Sequence, residues 1–439
     1  MEDQVQLLAD DADGATRALD ASGRPVAADR AARALAALAW APILGRLPPS
    51  DQRLLARAAV CRVARKGDVL LRRGEECRAL SVLESGAVKI AADSPQGHSL
   101  PVALVGPGDL VGTSAVADHK GSAYTATAIE DSQLVSLPRQ VLRRVLADRP
   151  EAARQLRSVL DQRQQSAAAV TGSQRRLTAN QNGRVVSVHS PRGGAGTTTI
   201  AVNLAQALAR ERPRHVVLVD LALPFNQCAV WTQSVPTTSL ARTTQAPADH
   251  REDILLSGIY RLTSGLGLLT GVLRPEEADL MTAELIAQCL QVLRREFAYV
   301  VLDVGTHLLP LVRATLERSD HVLLATTPDL LALRDVVYLR QSMRWLTNRT
   351  HVVVNHPTPT RVLDDEAIRR TLSVEALTDL GHDRSIMRAI ARGEIMSRTA
   401  RSSLARAVDD LASKLTSGAQ TGRGARRSDR HGRSRWILG

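Results

Sequence analysis

The chain has 439 residues, a formal net charge of +12, a sequence pI near 10.4 and four cysteines. That length exceeds one ordinary domain and suffices for two cores with linkers. No stretch approaches the ~20 uninterrupted apolar residues of a membrane span, and the acidic start MEDQVQLLADDADG is unlike a signal peptide, so a cytoplasmic protein is expected.

The positive charge admits an acidic partner, DNA or an anionic membrane surface. Arginines dispersed by composition explain it as well, and a dedicated nucleic-acid site is the less favoured reading. Cys61, Cys77, Cys228 and Cys289 lack C-x-x-C or Cys/His spacing for zinc and read as small buried residues in a reducing compartment.

Residues 1–30 are polar, acidic and alanine-rich, and are expected to be disordered. Ala31 to Leu47, AARALAALAWAPILGRL, has helical spacing but is short and broken by Pro42, which suits a docking helix of the next domain. From 48 to 137 the period changes. Segments such as VLL, ALSVLE, AVKIAA and LPVALV alternate with turns at Gly67-Asp68, Gly74-Glu75, Ser85-Gly86, Gly97 and Pro107-Gly108, the spacing of a β-roll or barrel.

The order and turns resemble the cyclic-nucleotide-binding (Crp-like) domain. Pro107 to Ala128, PGDLVGTSAVADHKGSAYTATA, falls on its phosphate-binding cassette. The resemblance implies a glutamate for the ribose and an arginine for the cyclic phosphate, where this chain has Thr113 and Gly121; Gly112, Ser122 and Ala123 remain. Losing an often bidentate arginine contact removes the strongest single interaction open to a phosphate. Gly112, Thr113, Gly121, Ser122 and Ala123 therefore read as a degenerate pocket, empty or repurposed, with Lys120 as a neighbouring substitute cation. Val141 to Ala168 has helical spacing interrupted by Pro150; it is a dimerisation helix, as the resemblance implies, or a cap on the roll. Residues 170–183 form a polar linker, with no helix-turn-helix after it.

Residues 184–203, RVVSVHSPRGGAGTTTIAVN, organise the rest. An apolar β-branched run, Val185 to Val188, meets a turn with Gly193, Gly194 and Gly196, then a helical pattern from near Thr198. Glycines let backbone N–H groups point into one concavity at a helix N-terminus, a natural seat for phosphate. The P-loop pattern G-x-x-x-x-G-K-[ST] is not met, because Thr197 stands at the lysine position. RGGAGTTT resembles the deviant Walker A loop of the MinD/ParA ATPases, with Arg192 for the first lysine, and the loss of the second resembles the CpaE/TadZ branch that helps assemble Flp (Tad) pili.

Later segments extend the resemblance. HVVLVDL, His215 to Leu221, is a buried-strand run ending near Asp220, and Ala222 replaces the second acid of the family's D-x-D pair. Residues 262–280 read as a loop and a helix starting at the proline beside Glu276 and Glu277. YVVLDVG, Tyr299 to Gly305, ends in Asp303 at the Walker B-like position, which with Thr198 implies Mg²⁺ binding; a strand-end aspartate can equally cap a helix. HVLLATT and HVVVN add strands, and the resemblance puts Asn355 at adenine, though alone it is a turn former. His189 reads as a neutral strand-end histidine, and the tail 416–439 as a basic disordered segment.

The expectation is an α/β chain: a β-roll domain with flanking helices over 31–169, then a mostly parallel P-loop sheet with helices on both faces over 184–415. The resemblance implies a homodimer that binds ATP and Mg²⁺ through Arg192, Gly193, Gly194, Ala195, Gly196, Thr197, Thr198, Thr199 and Asn355, with Asp220 and Asp303 catalytic. It also implies pilus or secretion-assembly partners and recruitment to the inner membrane face or cell pole. An ATPase cycling on membrane or DNA, and a cyclic-nucleotide-sensing adaptor, are the alternatives.

Overall fold

The computed structural model describes residues 26–93, 99–116, 121–172, 183–236, 238–245, 251–360, 363–374, 377–392 and 402–424. The chain divides into two compact units near Ala167. Lys120 lies outside the described residues.

In the first unit, α1 (Val26–Trp40) and α2 (Pro49–Ala58) precede the strands. α1 begins inside the stretch expected to be disordered; Ala34, Ala37 and Leu38 recur on one face and are buried, which gives the helix a stripe to dock. The roll comprises β1 (Val60–Ala64), β2 (Val69–Leu71), β3 (Ala79–Ser85), β4 (Val88–Asp93), β5 (Ser99–Val105), β6 (Leu110–Val111), β7 (Thr125–Ala128) and β8 (Ser132–Pro138). They form two four-stranded sheets, β1-β8-β3-β6 and β2-β7-β4-β5. The pairings β1·β8, β3·β8 and β4·β7 are antiparallel. Two helices close the unit, α3 (Arg139–Ala147) and α4 (Pro150–Gly172). Pro150 starts α4, where a missing N–H is no loss. Cys61 is half-buried, which corrects the expectation that all four cysteines are interior.

The second unit is one eight-stranded sheet, ordered β11-β12-β10-β13-β9-β14-β15-β16. Its strands are β9 (Arg184–His189), β10 (Val216–Asp220), β11 (Tyr260–Arg261), β12 (Gly267–Thr270), β13 (Tyr299–Asp303), β14 (His321–Thr326), β15 (Thr350–Asn355) and β16 (Leu377–Leu380). All neighbours run parallel except β11 and β12. A parallel sheet needs both faces covered, and the central strand is buried along its whole length. Val300 and Leu302 of β13 face a core with α7 (Arg251–Ser257), α8 (Ala283–Glu296), α9 (Pro310–Glu317), α10 (Leu330–Ser342) and α11 (Asp365–Leu372). Tyr299 and Val301 face the opposite core, with α5 (Thr197–Glu211), α6 (Cys228–Trp231), α12 (Ser385–Arg392) and α13 (Ser403–Gly424). Each fully buried leucine or valine contributes about 1.5–3 kcal/mol, so these two cores hold the strand ends in place.

Three boundaries differ from expectation. Residues 262–280 contain the strand β12, and the turn from Pro275 is a 3₁₀ segment; α8 starts only after Thr282, whose side chain accepts from the Leu285 N–H. α13 runs past 416 to Gly424, and α4 runs into the expected linker. No helix among the described residues is long and apolar enough to cross a membrane.

Candidate functional site

The second unit's candidate site lies at the carboxyl ends of β9, β10, β13 and β15. After β9 the chain turns through Ser190, whose hydroxyl donates to the Arg192 carbonyl (2.9 Å) and accepts from the Arg192 N–H (3.2 Å). Gly194 (φ +83°) and Gly196 (φ +85°) adopt left-handed backbone that favours glycine. A Cβ on Gly193 or Gly194 would meet nothing within 4 Å, so the turn is open there. Gly196 is the N-cap of α5, and Thr197, its first residue, is buried at 8% exposure where a P-loop would carry its lysine.

Asn355, at the end of β15, donates from Nδ2 to the Ala195 carbonyl (3.2 Å), tying the turn to the sheet. A Cβ on Gly196 would lie 2.8 Å from that same nitrogen. Arg192 forms an ion pair with Asp335 of α10 (3.4 Å), and its side chain is 43% exposed. Thr199 accepts from Asn203 Nδ2 through its carbonyl (2.8 Å).

Thr198 donates its hydroxyl to Asp303 Oδ2 (2.6 Å). Asp303 ends β13 directly beside Asp220 of β10 in the sheet register. Burial, then the neighbouring Asp220 carboxylate, push Asp303 up to about 7, against the hydrogen bond from Thr198. Burial likewise raises Asp220. Hydroxyl and carboxylate are hard oxygen donors, and a divalent cation between Thr198 and Asp303 would offset the mutual repulsion of the two buried carboxyls.

Asp220, expected to be catalytic, also fastens the loop that follows β10. Its Oδ1 accepts from the Ala222 N–H (3.2 Å) and Asn226 Nδ2 (2.8 Å), its Oδ2 accepts from the Cys228 N–H (2.7 Å), and it is fully buried. It organises the loop from Leu221 to Cys228, with Asn226 also accepting from the Val272 N–H (2.8 Å). Cys228, read from sequence only as a buried cysteine, places its thiol 3.7 Å from Asp303 Oδ2 and is pushed well above its usual pKa by burial and the two carboxylates. The available sequence signal was the Pro-Phe-Asn-Gln turn before it. His189 sits fully buried beneath the turn, Nδ1 against the Gly305 carbonyl (2.9 Å), and burial lowers it to about 4, so it is neutral at pH 7.

In the first unit, the cassette residues are used internally. Thr113 Oγ1 and the Tyr124 hydroxyl share a hydrogen bond (2.9 Å), and Ser122 Oγ donates to the Tyr124 carbonyl (2.8 Å). A Cβ on Gly112 (φ +82°) would lie 2.6 Å from the Ala79 carbonyl oxygen. One on Gly121 would lie 2.3 Å from the Gly74 oxygen, so the position where the resemblance implies an arginine is closed to any side chain. Ala123, half-buried between Ser122 and Tyr124, adds no polar group.

Two folds and two turns thus define the class: a β-roll of cyclic-nucleotide-binding type, then a P-loop-type α/β domain. Residues 61–149 match the family model of the cyclic nucleotide-binding domain, and residues 183–354 match that of the AAA domain. The septum site-determining protein MinD of Thermotoga maritima is 24% identical over 249 residues, 53% of this chain and 88% of its own length. The CRP-like cAMP-activated global transcriptional regulator of Mycobacterium tuberculosis is 35% identical over 98 residues, 22% of this chain and 44% of that regulator. A solved structure of the septum site-determining protein MinD complexed with Mg-ADP from Pyrococcus horikoshii OT3 superposes with TM-score 0.48 at 20% identity, covering 54% of this chain and 98% of the other. The second unit thus matches the AAA domain model over residues 183–354 and is similar in sequence to MinD.

Proposed function

We propose that the chain is a nucleotide-responsive positioning or assembly factor that binds ATP with Mg²⁺ and hydrolyses it poorly, serving a Flp/Tad-type pilus or secretion machine as a homodimer. The observation that carries this reading is an open glycine turn, Gly193 to Gly196, leading into α5 beside the Thr198–Asp303 pair, with buried Thr197 at the lysine position. Backbone N–H groups of the turn and the positive end of α5 attract the phosphate chain. Thr198 and Asp303 would hold the cation, whose chemistry is to neutralise charge across phosphate oxygens. Arg192 keeps a positive charge at the mouth of the turn, and Asn355 fixes the turn from behind through Ala195.

Poor turnover follows from what the residues cannot supply. Phosphoryl transfer relies on positioned charge, and neither Thr197 nor Ala222 offers a charge to the transferring group or to an attacking water. The chain would then signal by occupancy. Phosphate release by the wild-type chain is expected to be slow, and the double variant Thr197→Lys/Ala222→Asp is expected to release it faster; equal rates would remove this explanation. The assembly role is tested by disrupting the gene and counting surface pili by electron microscopy. Loss of pili is expected, and normal piliation contradicts the role.

A further inference from the structure

Arg163 is among the largest fully buried side chains of the molecule, at 1% exposure. It lies on α4, beyond the residues 61–149 that match the cyclic-nucleotide-binding family. Its Nη1 donates to the Leu110 carbonyl on β6 (2.6 Å), while Nε and Nη2 have no hydrogen-bond partner. On the same stretch of chain, Ser114 is 3% exposed and its Oγ has no partner either. Among the described residues of the first unit, these are the buried side-chain polar atoms left unsatisfied, and both belong to the segment Leu110–Val116 or touch it.

A guanidinium is charged at any pH a protein meets, and burying one with two donors unmet is costly. The unmet donors are not scattered. Nε and Nη2 form one edge of the planar group, the edge that grips two oxygens of an oxyanion side by side. Ser114, four residues along from the Leu110 carbonyl that Arg163 holds, leaves a hydroxyl unmet as well. The arginine that the resemblance implies at position 121 has no room beside the Gly74 backbone.

We propose that Arg163 holds a phosphate group, free or within a cyclic nucleotide, against the segment Leu110–Val116, so that the cation of this pocket comes from α4 and not from the cassette.

The test is hydrogen exchange on the full chain with millimolar inorganic phosphate, cyclic AMP or cyclic GMP, following peptides over 110–116 and around Arg163 separately from those over 190–198. Slowed exchange at 110–116 is expected with at least one ligand. Protection by phosphate alone would identify a free oxyanion site, and protection by a cyclic nucleotide alone a phosphodiester site. Arg163→Met is expected to weaken the protecting ligand at least about tenfold, the equivalent of one charged hydrogen-bonded contact. Arg163→Lys keeps the charge without the fork, and is expected to recover only part of the affinity and to serve if the methionine variant misfolds. No protection with any of the three ligands, or protection unchanged in both variants, would overturn the assignment.

Discussion

The glycines of the cassette and those of the turn after β9 both fall where the sequence suggests a phosphate site, and they differ in space. At Gly112 and Gly121 the protein's own backbone occupies the volume a side chain would take, from Ala79 in one case and Gly74 in the other. At Gly193 and Gly194 that volume holds nothing within 4 Å. Gly112 and Gly121 serve close packing of backbone, whereas Gly193 and Gly194 leave an approach for a ligand. A glycine-rich motif therefore does not by itself announce a phosphate site.

Substitutions at the two turns should separate those roles. The largest effect is expected in the first unit, where Gly121→Ala must push backbone aside and should lower stability by about 1–3 kcal/mol, measured by denaturant unfolding. Gly193→Ala, in open space and without left-handed backbone, should leave the unfolding midpoint unchanged while weakening ATP binding. Equal destabilisation by both would erase the contrast between the turns.

A pH series sharpens the picture of the second turn. Asp303 rises from 3.8 to about 7 on folding, so its contribution to stability is present below its unfolded pKa and is lost as pH climbs through about 7. His189, lowered to about 4, acts in the opposite sense, losing stability as pH falls from its unfolded value of 6.5. Comparing wild type with Asp303→Asn cancels the histidine. Without Mg²⁺, the wild type should lose stability relative to the variant between pH 4 and 7; parallel curves would show that Asp303 is not held protonated. The smallest effect is expected at Arg192. Its exposed pair with Asp335 is worth at most about 1 kcal/mol, so Arg192→Ala should hardly change unfolding while reducing ATP affinity.

Much of the architecture was legible because the buried strands announce themselves. YVVLD and VVLVD are continuous apolar runs ending in acid, the signature of strands covered on both faces. β12 was not legible, since GLLT is short and bounded by Gly265 and Gly271, which read as loop. The Thr198–Asp303 pair followed from motif positions. The use of Asp220 to fasten Cys228 and Asn226 did not, because it depends on how the loop folds back over the strand end. Arg163 was hidden for a similar reason: on a helix with charged faces, nothing in the sequence marks one arginine as the buried one.

The most direct measurement titrates ATP with Mg²⁺ into the purified full chain by calorimetry and follows phosphate release in the same sample. Stoichiometric binding with slow release is the expected result. Brisk release without any partner would contradict slow turnover, and no heat at any nucleotide concentration would contradict a glycine turn that still receives ATP after losing its lysine.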